Sequence, residues 1–175
     1  MPSLYEISIE NYLRVVGASI NVLKKGEAHF REAGKNPDDM LSQKLASDMF
    51  PFPFQVYSVQ HHSLHSAQGL LSGHFGPPKN MPETNYAGLI GVLEETKAQL
   101  KGISSDEINA RSGKQVMFKM GGLELPFTSE NFVQSFSIPN LYFHASTTYA
   151  LLRMQGVPIG KVDFMGNMKI GAPQA

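Results

Sequence analysis

With 175 residues, the chain is long enough for one domain, spanning 1–175, that buries roughly 70% of the surface its unfolded form exposes. Fifteen Lys and Arg balance fifteen Asp and Glu, and no segment gathers the basic density that attracts a phosphate backbone, which argues against nucleic acid as a partner. The absence of cysteine excludes disulfides, thiolate nucleophiles and Cys-ligated zinc together.

Ile9, Leu13, Val16, Ile20, Leu23 and Phe30 recur at steps of three, four and seven residues, interrupted by Glu27, and predict a first long helix from about residue 7 to 33. Gly34 stops it. Asn36-Pro37-Asp38-Asp39 then offers a cap, a proline at the first helical position and acids in the first turn of a short helix reaching about Ala46. Phe50-Pro51-Phe52-Pro53 breaks that helix, and a second long helix is expected from near Pro53 to about Ser72, with Gly73 as its left-handed terminator.

The connection from Gly73 to Pro82 is long, Pro-rich and extended in expectation. At ~3.3 Å per residue it reaches roughly 30 Å, enough to cross a bundle end to end and to let the second and third helices run parallel. The third helix, about Glu83 to Lys101, shows Tyr86, Ile90, Leu93 and Leu100 on one face and Glu94-Glu95 on the other. A turn near Ser104 to Arg111 leads to two alternating stretches, 115–120 and 123–127. Gly121-Gly122 between them suits a tight hairpin, expected to stand outside the core as an appendage. Ser129 is placed to cap a helical turn reaching Phe136, and Pro139 opens a final helix ended by Gly156, Val157 and Pro158.

On that final helix Leu141, His144, Thr147, Thr148 and Leu151 share a face, so His144 points to the interior. His61, His62 and His65 crowd the second helix. His61 and His65 are four apart on one face and close enough to chelate one ion, while His62 is expected to face elsewhere. The plainer reading makes His144 a core histidine that donates to Thr148, a carbonyl or water, with the helix-two histidines partly exposed. His29 and His74 lie near helix ends, where solvated histidine is ordinary. Glu27 is read as a carboxylate that either orients an imidazole or turns to water. Tyr57, one turn before His61, reads as a core aromatic or an anion donor. Lys161 and Asp163 around Phe164 read as an anchor for an ordered, docked tail, and the nine methionines as core filler.

Leu141-Tyr142-Phe143-His144, Tyr149-Ala150-Leu151-Leu152-Arg153 and Gly160-Lys161-Val162-Asp163-Phe164, with Asp48-Met49-Phe50-Pro51 and Gln55, resemble an uncharacterised branch of the DinB/YfiT-like metalloenzyme superfamily. The resemblance covers most of the chain. It implies an all-α fold, a four-helix bundle running up-down-down-up, with the small β-hairpin between helices three and four. It also implies small-molecule chemistry at a divalent metal, zinc or nickel, held by one histidine of helix two and an HxxxH pair on helix four. His144 occupies the first position of that pair, but the second is Thr148, whose neutral hydroxyl is a poor ligand. The second helix-two histidine offers a substitute, giving His61, His65 and His144 as candidate ligands.

Two functions follow: a metal-dependent transferase or hydrolase, or a non-catalytic dimeric bundle with a degenerate site that binds a small ligand or is structural. Charged residues make up 17% of the chain against an average of about 25%, and hydrophobic ones 42%, which leads to the expectation of a homodimer. No run approaches the ~18 apolar residues of a spanning helix, and the opening MPSLYEISIENYL lacks the basic and apolar regions of a signal, so a cytoplasmic protein is expected.

Overall fold

A computed structural model describes residues 2–78 and 81–171. Nine α-helical segments are found among these residues: α1 (Leu4–Ile7), α2 (Ile9–Glu32), α3 (Phe52–Gln60), α4 (Ser66–Ser72), α5 (Tyr86–Lys101), α6 (Ser105–Asn109), α7 (Ser129–Asn131), α8 (Ile138–Met154) and α9 (Lys161–Met165). Three strands, β1 (His74–Phe75), β2 (Gln115–Met120) and β3 (Leu123–Thr128), form one small sheet. The chain is mostly helical, as expected, but the expected two-stranded hairpin is part of a three-stranded, mixed sheet.

The first long helix breaks once. Ser8 is buried and donates its hydroxyl to the Leu4 carbonyl at 2.6 Å, so α1 and α2 meet at a bend. The Asn36 cap and Pro37 produce a 3₁₀ turn, Pro37–Ser42, shorter than the predicted helix. The second long helix runs as expected from Phe52 to Ser72, and Gly73 terminates it at φ +78°. It is not uniform, however: a π turn, His61–His65, separates α3 from α4.

A second π turn, Phe132–Ser137, joins α7 to α8, so the helix that Pro139 was expected to open is continuous with the turn before it. Its cap is Thr128, which accepts from Asn131 N–H, while the Ser129 hydroxyl donates to the Arg111 carbonyl. Gly156 ends α8 at φ +86°.

Specific contacts set the helix directions. Tyr86, at the start of α5, donates to the Leu23 carbonyl at 2.9 Å, and Lys97 near its end lies over Gly17, so α5 runs opposite to α2. Phe52 and Tyr86 stack at 5.8 Å, both at helix starts, so α3 and α5 run the same way. His144 pairs with Gln55, and Ser137 with the His62 carbonyl, so α8 opposes α3. Gly26 marks the crossing of α2, α5 and α8: an added Cβ would stand 2.5 Å from the Tyr86 hydroxyl and 2.9 Å from Leu152.

The hairpin forms with the expected register, Met120 opposite Leu123, and Gly121 in the loop takes φ +53°. It is not a free appendage. β1 adds to β2 in parallel, making the sheet mixed, and Val116 and Phe118 on its inner face are buried, Phe118 against Phe75 and Phe136. Part of the long connection thus becomes strand, while residues 79–80 of it lie outside the described residues. The tail folds back as α9. Asp163 binds Lys25 at 2.6 Å and the Gly160 N–H at 2.9 Å, and Phe164, half-buried instead of fully buried, rests on Tyr142 and Tyr149.

The two π turns meet at one hydroxyl. Ser137 Oγ donates to the His62 carbonyl at 3.0 Å, and because it has a single proton, the Tyr12 hydroxyl must donate to it across 2.6 Å. Tyr12 and Ser137 are both fully buried. Replacing Ser137 by Ala should cost about 2–3 kcal/mol in urea denaturation, because it leaves two buried groups unpaired, and Tyr12→Phe should cost less. Equal, negligible effects would contradict the assigned chain.

Candidate functional site

The π turn gathers three histidines at the middle of the second long helix, and α8 supplies the fourth. His61 and His65 face each other, Nδ1 to Nδ1, at 3.0 Å. A neutral pair in this contact must hold opposite tautomers, one nitrogen donating and the other accepting. The His62 ring lies 5.0 Å from His61 and stacks on His144 at 5.6 Å, the planes 7° from parallel. His62 therefore joins the cluster, where a regular helix was expected to turn it elsewhere. Its Nδ1 is buried and has no hydrogen-bond partner among the described residues, and the same holds for Ser66 Oγ.

Gln55 decides the state of His144. Its side-chain nitrogen donates to the Phe50 carbonyl at 2.9 Å, so the oxygen is the atom that faces His144 Nδ1 at 2.8 Å. An amide oxygen only accepts, hence Nδ1 carries the imidazole proton and Nε2 keeps the lone pair. Thr148, in contrast, is buried with its hydroxyl donating to the His144 carbonyl at 2.9 Å, so it serves the helix backbone and not a ligand.

All four imidazoles are held neutral by burial. Desolvation lowers His62 to about 3, assisted by the neighbouring His61 and His144. It lowers His61 to about 4, with His65 adding to the effect and a hydrogen bond to the Gly76 backbone opposing it. Burial alone brings His144 to about 4 and moves His65 down as well. Phe75 covers His61 at 4.7 Å, and Phe54 meets the edge of His144 at 5.8 Å.

These donors suit a divalent d-block metal in type: neutral nitrogens, one with its tautomer fixed from outside. A nitrogen separation of 3.0 Å matches two neighbouring ligands at ~2.0–2.1 Å from one ion. Among the described residues, however, no three His, Cys, Asp or Glu side chains converge as a ready metal-binding group. A third donor would require ring rotation within the cluster.

The other candidates find structural partners. Tyr57 donates to the Pro82 carbonyl at 2.7 Å, and Glu27 pairs with Arg31 at 2.7 Å, one turn along α2, so neither meets the imidazoles. His29 packs on Phe30, and His74 is exposed in β1.

The model of a domain of unknown function, DUF1993, matches residues 4–165. The chain belongs to this family. No curated protein matches it. Among solved structures, this DUF1993 chain is similar to the crystal structure of a DinB family member protein from Shewanella denitrificans, with 28% identity, a TM-score of 0.80 and coverage of 97% of this chain and 96% of the other. The DinB-like resemblance read from the sequence is thereby supported along nearly the whole length.

Stability of this DUF1993 protein should depend on pH through the histidines. Their folded pKa values lie below the ordinary imidazole value of 6.5, so the unfolded chain binds more protons between about 4 and 6.5. Stability is full above that window and falls as pH drops through it, by an amount on the order of a few kcal/mol. Urea midpoints measured in EDTA across the window should fall less steeply for His62→Asn than for the parent. Parallel slopes would refute the neutral-imidazole assignment.

Proposed function

We propose that this chain is an up-down-down-up four-helix bundle whose histidine cluster takes one divalent metal, zinc or nickel, through His61, His65 and His144. The observation that carries the reading is the Phe50–Gln55–His144 relay, which leaves His144 Nε2 free to act as a donor inside a cluster of neutral imidazoles. Gln55 orients the α8 ligand, and the π turn brings His61 and His65 to one point. His62, stacked on His144, limits how that ring turns, and Phe54 and Phe75 keep water from the donors.

A metal held here would lower the pKa of a bound water or thiol, the chemistry of a small-molecule transferase or hydrolase. The second reading, a metal-free bundle, draws its support from Thr148, the buried residue that stands where the family pattern has a second histidine. A homodimer accompanies either reading. Phe143 and Met154, 55% and 62% exposed, lie on one side of α8 eleven residues apart and offer an apolar contact face.

Metal analysis of protein purified without chelator should find about one zinc or nickel ion per chain. His144→Ala should abolish uptake with the helical circular dichroism retained, Gln55→Ala should weaken it about 10–100-fold, and Thr148→His should strengthen it. No uptake by the parent chain, even with added zinc, would leave the metal-free reading in its place.

A further inference from the structure

A sizeable cavity lies away from the histidines. It occupies about 1090 Å³ between α2, α5 and the tail around α9. Three carboxylates line it, and each is engaged. Glu10 pairs with Lys169, Asp163 with Lys25, and the Glu6 carboxylate accepts from the Ser3 N–H in a capping box whose other bond runs from the Glu6 N–H to the Ser3 hydroxyl.

The cations divide differently. Arg14 directs its guanidinium to three neutral acceptors, the Met165 carbonyl, Asn11 Oδ1 and the Tyr142 hydroxyl. Lys97 and Lys101, one turn apart on α5, have neither an ion pair nor a hydrogen bond among the described residues. The position of Lys101 in the last turn of α5 suits the helix dipole, but that does not account for Lys97. Its Nζ lies 3.4 Å from where a Cβ on Gly17 would be, so the ammonium rests directly over the α2 backbone, inside the cavity. Leu13, Val162 and Met168 supply an apolar wall beside these charges.

Once the Glu10–Lys169 and Asp163–Lys25 pairs are counted, the cavity holds three cations, Arg14, Lys97 and Lys101, against one remaining carboxylate, Glu6, an excess of two positive charges. We infer that this groove binds a small organic dianion, a phosphate monoester or a dicarboxylate, with Lys97 and Lys101 on its charged end and the apolar wall against its carbon skeleton. Two lysines act as point charges for either headgroup.

Titration calorimetry of the full chain with glycerol phosphate and with succinate, at matched ionic strength, tests the proposal. One of the two should bind at a single site, more weakly as sodium chloride is raised. Whichever binds identifies the headgroup. Lys97→Ala and Lys101→Ala should each weaken binding about tenfold, and Gly17→Leu, which fills the floor of the groove and displaces the Lys97 ammonium resting on it, should abolish it. Lys24→Ala, which breaks an exposed pair with Glu94 outside the groove, should change nothing. Absence of binding by both probes, or binding unaltered by the lysine and Gly17 substitutions, would overturn the proposal. Neither outcome depends on whether the histidine cluster holds a metal.

Discussion

The Ser137 hydroxyl is the one polar contact on which the interior arrangement depends. It sits where two π turns face each other, and such turns disturb the i→i−4 ladder that otherwise satisfies a helix from within. By donating to the His62 carbonyl and accepting from Tyr12, it ties α2, the second long helix and α8 through one buried chain. Tyr12 is fully buried and its phenol is pushed upward by desolvation, so it acts only as a neutral donor here. The positions of His62 and of its stacking partner His144 follow from this link. An apolar residue at 137 would leave a carbonyl and a phenol buried without partners, a combined cost comparable to a sizeable fraction of a domain's total stability.

The histidine cluster and the groove embody opposite electrostatic designs. Around His61, His62, His65 and His144 burial removes charge altogether, and among the described residues no carboxylate pairs with the rings. Neutral imidazoles are inexpensive to bury and keep lone pairs available, the property that metal ligation needs. In the groove, charge is retained and left unbalanced, with the tail held in place by Asp163 and by Arg14. A DUF1993 chain can therefore combine a dry donor cluster at its core with a wet cationic groove on its flank. The two are built on different helices, the cluster on the second long helix and α8, the groove on α1, α2, α5 and the tail around α9, and place few constraints on each other.

Much of the fold was legible because its signals are local. Gly73 and Gly156 were read as left-handed terminators and take φ +78° and +86°, and Gly121-Gly122 was read as a hairpin loop and forms one. The apolar spacing of Tyr86, Ile90, Leu93 and Leu100 located α5, and all four are buried. What escaped the sequence depends on contacts between distant residues. The parallel pairing of His74-Phe75 with β2 has no signature in a two-residue strand, and the sheet consequently absorbs a hairpin expected to stand alone. The π turns left no composition cue either, so His62 was turned away from the cluster it joins. Gln55 was noticed only as part of a family resemblance. Its role comes from the Phe50 carbonyl five residues earlier and an imidazole 89 residues later, a relation no spacing rule encodes.

The central claim is that the interior imidazoles are neutral and that Gln55 fixes His144 with its proton on Nδ1. Nitrogen-15 correlation spectra of the histidine rings, recorded at neutral pH in EDTA, read protonation and tautomer at each nitrogen directly. The account predicts four uncharged interior rings, with His144 protonated at Nδ1 and unprotonated at Nε2, and loss of that preference in Gln55→Ala. A charged His61, His62 or His144 at neutral pH, or a His144 proton on Nε2 in the parent chain, would contradict it.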